Sequence, residues 1–408
     1  MTAELNSSAG PQWPRVLLLS DEGPQLSTAG GILLYRLLED CPTDRLRVIE
    51  REQVPGWTRL ACPYDTITPR WRRLERSRFH RWHRTLRSFG LVPPVPASAV
   101  EARLGGFAPE VVLCVMQMSS YYDIAWRYAR EKGLPLVALV HDVNEEWERV
   151  FRFAVPAQRR RDGAFYRYAA RRLCISPEME RLCAQLYGER GDVQYPNRSE
   201  ALRPRPLDEA GNLKQAGRLT VGFVGNLNYG YGNELLRLLP AFRATQTRLV
   251  VFSKPPGGAA AALIEAEDCV DFRGFLSTPE EAWAATKRDC DAVILPYPHP
   301  AGTMERLLRH HFPSKLPEYL ALGMPVIVTG PEYATGVRWA MQNPAAVATC
   351  TAPEPAALRG VLERLRSDAF WRLALADNGV LAGSRDFDPT AIKRHFLEHL
   401  RNAAMAHE

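Results

Sequence analysis

At 408 residues the chain is too long for one ordinary hydrophobic core and predicts two domains of roughly 200 residues each. Its 46% apolar and 24% charged residues are those of a soluble globular protein, and no run of about 18 apolar residues suggests a spanning helix. The formal charge of +6 is modest, its excess lies in the first 200 residues, and no nucleic-acid motif accompanies it, which argues against nucleic-acid binding.

Residues 1–14 are polar and lack the charged-then-apolar pattern of a signal peptide. Arg15–Ser20 reads as a buried strand, followed by a loop ending Ser27-Thr28-Ala29-Gly30-Gly31 and a helix Ile32–Leu38. Strand, glycine-rich loop and helix open a doubly wound unit. Arg70–Phe89 holds eight arginines and one acid, Glu75, with Trp71, Leu74, Phe79, Trp82, Leu86 and Phe89 near helical spacing. The favoured reading is a helix packing its aromatic side inward with solvated arginines outside. The alternative is a basic helix in contact with the inner face of a membrane. Val111–Val115 and Leu136–Val140 are buried strands separated by a helix Tyr122–Lys132, and the second ends at His141-Asp142. A short strand Leu173–Ser176, a helix Glu178–Tyr187 and the stretch Val193–Asn197 close a first domain, residues 1–200.

Residues 201–217 are polar, contain Pro204, Pro206, Gly211 and Gly217, and read as a linker. A second alternating series fills a domain at 218–385. Its strands are Leu219–Val224, Arg248–Phe252, Val270–Phe272, Ala292–Leu295 and Pro325–Thr329, with helices at Glu234–Thr245, Pro279–Lys287 and 356–366. A last helix, 389–403, lies in the terminal segment 386–408. Eight scattered cysteines without a CxxC pair read as reduced core filler and fit the cytosol. The fold class is therefore α/β with two Rossmann-like domains facing a cleft, where ligands bind beyond the C-terminal strand ends.

The most informative stretch is His311-Phe312-Pro313-Ser314-Lys315-Leu316-Pro317-Glu318-Tyr319-Leu320-Ala321-Leu322-Gly323-Met324-Pro325-Val326-Ile327-Val328. It reads as a loop, a short helix capped by the Ser314 hydroxyl, a left-handed glycine stop at Gly323 and a buried strand. Lys315 and Ser314 then stand at a helix start suited to phosphate oxygens, with Glu318 one turn on.

This order of residues resembles the donor-site segment of GT-B glycosyltransferases, particularly the family 4-like group. The resemblance implies a nucleotide-sugar donor, with Ser314, Lys315 and Leu316 near its diphosphate and Glu318 on its ribose. Gly222-Phe223-Val224-Gly225-Asn226 occupies the position that opens the family's donor domain, where an arginine and a lysine usually follow the glycine. Here Asn226, Asn228 and Asn233 follow instead, which shifts the charge burden to Lys315 and Lys254. Gly30-Gly31 matches the glycine loop of the first domain, and His141 matches a histidine that contacts the transferred sugar. The family's first glutamate, seven residues before the second, falls at His310. The sugar pocket would then be lined by Gly302, Thr303, His310 and His311. Asp289-Cys290-Asp291 looks like an acidic metal motif, but it precedes an apolar strand, and metal-independent donor binding is the better reading.

The implied reaction is sugar transfer from a nucleotide diphosphate to an acceptor hydroxyl, with retention, no cofactor, and His141 and Lys315 as catalytic residues. The acceptor would be a glycan, a lipid or a small molecule, and the enzyme cytoplasmic. The alternatives are a GT-B-fold sugar-nucleotide epimerase using Glu305 or Asp142, and a catalytically silent binding protein.

Overall fold

The computed structural model describes residues 12–26, 28–52, 56–69, 71–75, 77–117, 119–142, 146–206, 209, 211–228, 230–266, 268–299 and 304–406. Two compact units emerge: residues 1–174, 180–194 and 393–408 form one, and residues 175–179 and 195–392 the other. No helix among the described residues is long and apolar enough to cross a membrane.

Among the described residues, the first unit is built on seven parallel strands: β1 (Val16–Leu19), β2 (Leu46–Glu50), β3 (Tyr64–Thr66), β4 (Val111–Val115), β5 (Leu136–Val140), β6 (Arg171–Cys174) and β7 (Asp192–Val193). Their order is β3-β2-β1-β4-β5-β6-β7. Strands β1, β4 and β5 are unbroken apolar runs and buried throughout, as parallel strands covered on both faces require. Strand β2 escaped the sequence reading because Arg47 and Glu50 interrupt its apolar pattern. Glu50 is buried all the same, accepting from the Gly23 N–H at 3.0 Å and paired with Arg59. The first helix spans Ala29–Leu38 and is capped by Thr28, whose hydroxyl accepts from the Gly31 N–H at 3.2 Å. Gly30 and Gly31 thus lie in the first helical turn, not in the preceding loop as the sequence suggested. In the last helix, Pro389–Met405, Lys393 Nζ lies 2.6 Å from Glu39 and 2.8 Å from Asp40, while His395 meets Gln194 at 3.0 Å.

Among the described residues of 70–89, the favoured expectation is inverted. They form two short helices, Arg72–Glu75 and His80–Ser88. Arg84, Thr85, Arg87 and Ser88 are buried, while Trp82, Leu86 and Phe89 are exposed. Polar partners hold the helix this way round. Arg87 bonds Glu75 at 2.6 Å, Thr85 Oγ1 accepts from the Phe151 N–H at 3.0 Å, and Arg161 donates to the Arg87 carbonyl at 3.0 Å. Burial would raise the Glu75 carboxyl, but the guanidiniums of Arg87 and Arg51 hold it below its ordinary value. Turning the helix over would break this ion pair and leave buried charge uncompensated, at a cost of about 3–5 kcal/mol.

Among the described residues, the second unit carries six parallel strands: β8 (Thr220–Val224), β9 (Arg248–Phe252), β10 (Val270–Phe272), β11 (Ala292–Pro296), β12 (Val326–Thr329) and β13 (Ala348–Cys350). Their order is β10-β9-β8-β11-β12-β13. This is the doubly wound order, whose direction reverses between β8 and β11. Helix Tyr231–Ala244 buries Leu235, Leu238, Leu239 and Phe242, a stripe at i, i+3, i+4 and i+7, in the same core cluster as Val221, Phe223 and Ile294. Asp291 anchors the start of β8, its carboxylate accepting from the Thr220 N–H at 2.7 Å and the Lys214 N–H at 2.6 Å. Asp289 pairs with Arg273 and Arg288.

Helix Pro279–Asp289 begins with a capping box: Thr278 Oγ1 accepts from the Glu281 N–H at 3.2 Å, and Glu281 accepts from the Thr278 N–H at 3.3 Å. Replacing Thr278 with Ala is expected to lower stability by about 1 kcal/mol, read by urea denaturation. Helix Ala369–Asp386 has no counterpart among the sequence expectations, and its apolar residues are spread around the helix without a sharp stripe.

Candidate donor site in the second unit

The reversal of strand order between β8 and β11 marks where a doubly wound sheet binds ligands, beyond the C-terminal ends of those two strands. The β8 end is Val224-Gly225. Gly225 has φ +119, a conformation that side chains of L-residues rarely adopt, and its N–H donates to the Phe252 carbonyl at 3.0 Å. A β-carbon at Gly225 would lie 2.5 Å from Lys315 Cε. The glycine therefore leaves room for the lysine chain that crosses it, a coupling invisible in the separate motifs.

Lys315 opens helix Lys315–Ala321. Its ammonium lies 4.5 Å from the centroid of the Tyr231 ring and 5.5 Å from that of Phe223. Part of the residue remains accessible, but the charged end sits deep among protein atoms. Desolvation lowers its pKa from 10.5 to about 8, opposed by the negative charge of Glu318. The aromatic faces compensate the ammonium in part through their quadrupoles. Glu318 is buried in the first turn of the same helix.

The helix itself is pinned to the strand end by a residue the sequence reading missed. Tyr319 Oη accepts from the Val224 N–H at 3.0 Å and lies 3.3 Å from the Val224 carbonyl. It thereby fixes Lys315 beneath the Gly225 turn. The one available signal was an aromatic residue next to Glu318, and nothing local distinguishes it from core filler. Gly323 ends the segment at φ +67, as expected for a left-handed stop. Ser314 departs from expectation. It stands at the cap position with helical backbone angles, and its hydroxyl makes no capping bond. Leu316 is fully buried, and its N–H donates to the Pro313 carbonyl at 3.2 Å. The helix has only seven residues, so the cation here is chiefly the lysine and not the dipole.

The neighbouring loops divide the other expected residues. Asn226 is exposed, and its Oδ1 accepts from the Asn228 N–H at 2.8 Å, which shapes the turn. Lys254 follows β9, is exposed, and places its ammonium 4.9 Å from the Phe275 ring. An open cavity of about 410 Å³, also missed from sequence, lies where β11 and helix Tyr231–Ala244 meet. Gly230, Asn233, Glu234, Arg237, Pro298 and His299 line it, with Met304. Glu234 is buried there, held by Arg237 at 2.9 Å and by the His299 N–H at 3.1 Å. The start of this helix thus already carries a satisfied carboxylate of its own.

His310 ends helix Glu305–His310 and is half-buried, not part of an open loop. Its Nδ1 lies 3.3 Å from the Glu178 carbonyl, and its own carbonyl accepts from Ser176 Oγ at 2.5 Å. Burial lowers its pKa, so the ring is neutral at pH 7. The His311 carbonyl accepts from Thr335. Gly302 and Thr303 lie outside the described residues.

In the first unit, His141 directly follows β5 and is partly exposed. Asp142 accepts from Gln117 Nε2 at 3.3 Å, which joins the ends of β4 and β5. Gly31 is enclosed: a β-carbon there would meet Gln25 at 2.8 Å and Thr28 Oγ1 at 3.0 Å. Gly30 is more open, its nearest neighbour being Glu22 at 3.2 Å.

No protein-family model matches the sequence, and no curated protein does. Solved structures do. HepE of Anabaena in complex with UDP aligns with a TM-score of 0.67 at 16% identity, covering 95% of this chain and 100% of that one. Sucrose-phosphate synthase of Thermosynechococcus elongatus aligns with a TM-score of 0.68 at 16% identity, over 96% and 100%. The UDP-forming α,α-trehalose-phosphate synthase of Burkholderia xenovorans, in complex with glucose-6-phosphate, gives 0.60 at 13% identity, over 95% and 100%. These neighbours are GT-B glycosyltransferases, and the likeness establishes the fold: this chain is an α/β protein with the GT-B fold.

Proposed function

We propose that the protein is a glycosyltransferase of the family 4 type. It would move a sugar from a nucleotide-diphosphate sugar to an acceptor hydroxyl, with retention of anomeric configuration and without a metal ion. The observation that carries this reading is the Lys315 ammonium held under the Gly225 turn, at the reversal point of the second sheet, with Glu318 one turn away. UDP is the favoured nucleotide, because HepE was solved with UDP and with UDP-glucose and the trehalose-phosphate synthase is UDP-forming.

In the reaction the bond from the anomeric carbon to the diphosphate oxygen breaks, and a bond to the acceptor oxygen forms. The acceptor proton leaves with the nucleoside diphosphate. Negative charge grows on the departing oxygen, so a fixed ammonium lowers the barrier most when it is already partly desolvated. Lys315 meets that description, and the dianionic diphosphate would keep it protonated. Lys254, on the adjacent loop, would share the charge. Ser314 contributes its backbone N–H, Glu318 accepts from the ribose hydroxyls, and His141 with Gly30 and Gly31 serves the sugar and the acceptor. His310 and His311, with Gly302 and Thr303, would border the sugar pocket.

One observation favours a second reading, a silent binding protein: the position expected for the first glutamate is a histidine engaged by Glu178 and Ser176. Hydrolysis or transfer of UDP-sugar in the presence of EDTA separates the two. Turnover supports the metal-free enzyme, and tight binding without turnover supports the silent protein. Replacing Glu318 with Ala is expected to weaken UDP binding about 10–100-fold, since hydrogen bonds to charged groups contribute roughly 1.5–3 kcal/mol. Calorimetry with 2′,3′-dideoxy-UDP should show the same loss in the wild type and none beyond it in the variant. An undiminished UDP affinity in Glu318→Ala would remove the ribose assignment.

A further inference from the structure

The first unit presents an aromatic and basic surface that the donor chemistry does not use. Among the described residues, seven of the thirteen exposed large hydrophobic side chains fall at 71–91 and at Phe153, so the exposure is concentrated, not scattered. Trp82 meets Phe151 at 4.6 Å between ring centroids, Phe151 meets Phe153 at 5.8 Å, and Phe153 meets Phe89 at 6.3 Å. Leu86 shares the helical face of Trp82 and Phe89, and its carbonyl accepts from the N–H of Leu91, which is 68% exposed. The result is a continuous apolar strip kept outward by the buried Arg87–Glu75 pair on the opposite side of the helix.

Exposed arginines border the strip: Arg73, Arg78, Arg81 and Arg152, with Arg159 and Arg160 beyond them. Arg78 lies over Phe79 and Arg81 over Phe151, at 4.9 and 5.0 Å from the ring centroids. Across residues 70–91 and 149–161 the one acid is Glu75, and its side chain is enclosed and paired. The surface is thus apolar at its centre, cationic at its edge and free of exposed carboxylates over these segments.

We infer that this surface docks the protein on a bilayer containing anionic lipid. Trp82, Leu86, Phe89, Leu91 and Phe153 would enter the boundary between headgroups and acyl chains, while the bordering arginines engage lipid phosphates. Tryptophan suits that depth because its ring is apolar and its N–H is not. The same residue types occur in single-strand nucleic-acid platforms, but bases need free ring faces. Here Phe153 lies nearly parallel to both Phe151 and Phe89, at interplanar angles of 7° and 15°. The rings lie edge by edge in one offset row, and Leu86 and Leu91, which give a base nothing to stack on, extend the strip, an arrangement that favours lipid. This inference rests on the first unit alone, so it stands or falls separately from the donor site.

Co-sedimentation of the full chain with vesicles tests it, using phosphatidylcholine alone and phosphatidylcholine with one-third phosphatidylglycerol. Binding is expected on the anionic vesicles, roughly tenfold above the neutral ones at about 0.1 M salt, and lost at about 0.5 M. Trp82→Ser combined with Phe153→Ser should lower the apparent vesicle affinity at least about tenfold, with the circular dichroism spectrum and UDP affinity unchanged. If that pair fails to fold, Arg78→Gln with Arg152→Gln serves instead, and should remove much of the preference for anionic vesicles. Equal partition onto both vesicle types, or variants that bind as the wild type does, would overturn the inference. Binding to a single-stranded oligonucleotide instead of vesicles, abolished by the Trp82 and Phe153 changes, would also overturn it.

Discussion

Replacing Lys315 with Met is expected to make the unliganded protein more stable and to abolish useful donor binding. The lysine chain and methionine have similar length and volume, so the substitution removes the charge and keeps the packing. The unfolded lysine titrates at 10.5 and the folded one at about 8. Between these values the unfolded chain binds more protons, so wild-type stability rises with pH from about 8 to 10.5. Below pH 8 the full penalty applies, about 2–3 kcal/mol once the remaining solvent access is allowed for. Lys315→Met should therefore exceed the wild type by about that amount at pH 7, roughly 5–10 °C in Tm. The advantage should fade above pH 10, which paired denaturation series at several pH values would reveal. Binding moves the other way. The diphosphate needs the ammonium form, so wild-type UDP affinity should fall as pH rises through 8, while the variant should bind at least about 100-fold more weakly at pH 7. A variant that is less stable at pH 7 would show that the lysine is not desolvated in the free protein.

Gly225→Ala is expected to harm both the stability of the second unit and its candidate site. It places a side chain at φ +119, a strain of about 1–3 kcal/mol, and sets its β-carbon 2.5 Å from Lys315 Cε. The lysine chain must then leave its place over Tyr231 and Phe223. The displaced ammonium regains water, which offsets part of the strain, so a net loss of about 1–2 kcal/mol is expected, together with a large loss of UDP affinity. A double-mutant cycle with Lys315→Ala isolates the contact: in that background Gly225→Ala should cost only its backbone strain, without the displaced lysine's share. Additive losses by urea denaturation would show that glycine and lysine act independently.

Most of the framework could be read from residues alone, for a physical reason. A strand buried on both faces must be apolar throughout, so Val111–Val115, Leu136–Val140 and Ala292–Leu295 announced themselves with little error at their ends. Strand β2 did not, because its charged residues are satisfied by partners distant in sequence, such as Gly23 and Arg59 for Glu50. The same cause inverted the helix His80–Ser88. Its aromatic stripe predicted the buried face, but the Arg87–Glu75 pair and the Thr85 bond decided which side turned inward. At the candidate site, Lys315, Glu318 and Gly323 stood out through one local stretch. Tyr319 and Tyr231 did not, since the clamp on Val224 and the ring under the ammonium are contacts made only by the folded sheet. The Ser314 cap was the reverse case, a favourable local signal that the structure does not use.

Lys315 and its surroundings are proposed to hold the diphosphate of a nucleotide sugar. Calorimetric titration of UDP into the full chain, at pH 7 and pH 9, for the wild type and Lys315→Met, tests it most directly. The wild type should bind at pH 7, up to about tenfold more weakly at pH 9, with proton uptake above pH 8 and near-complete loss in the variant. Equal UDP affinity in wild type and variant at both pH values would contradict it.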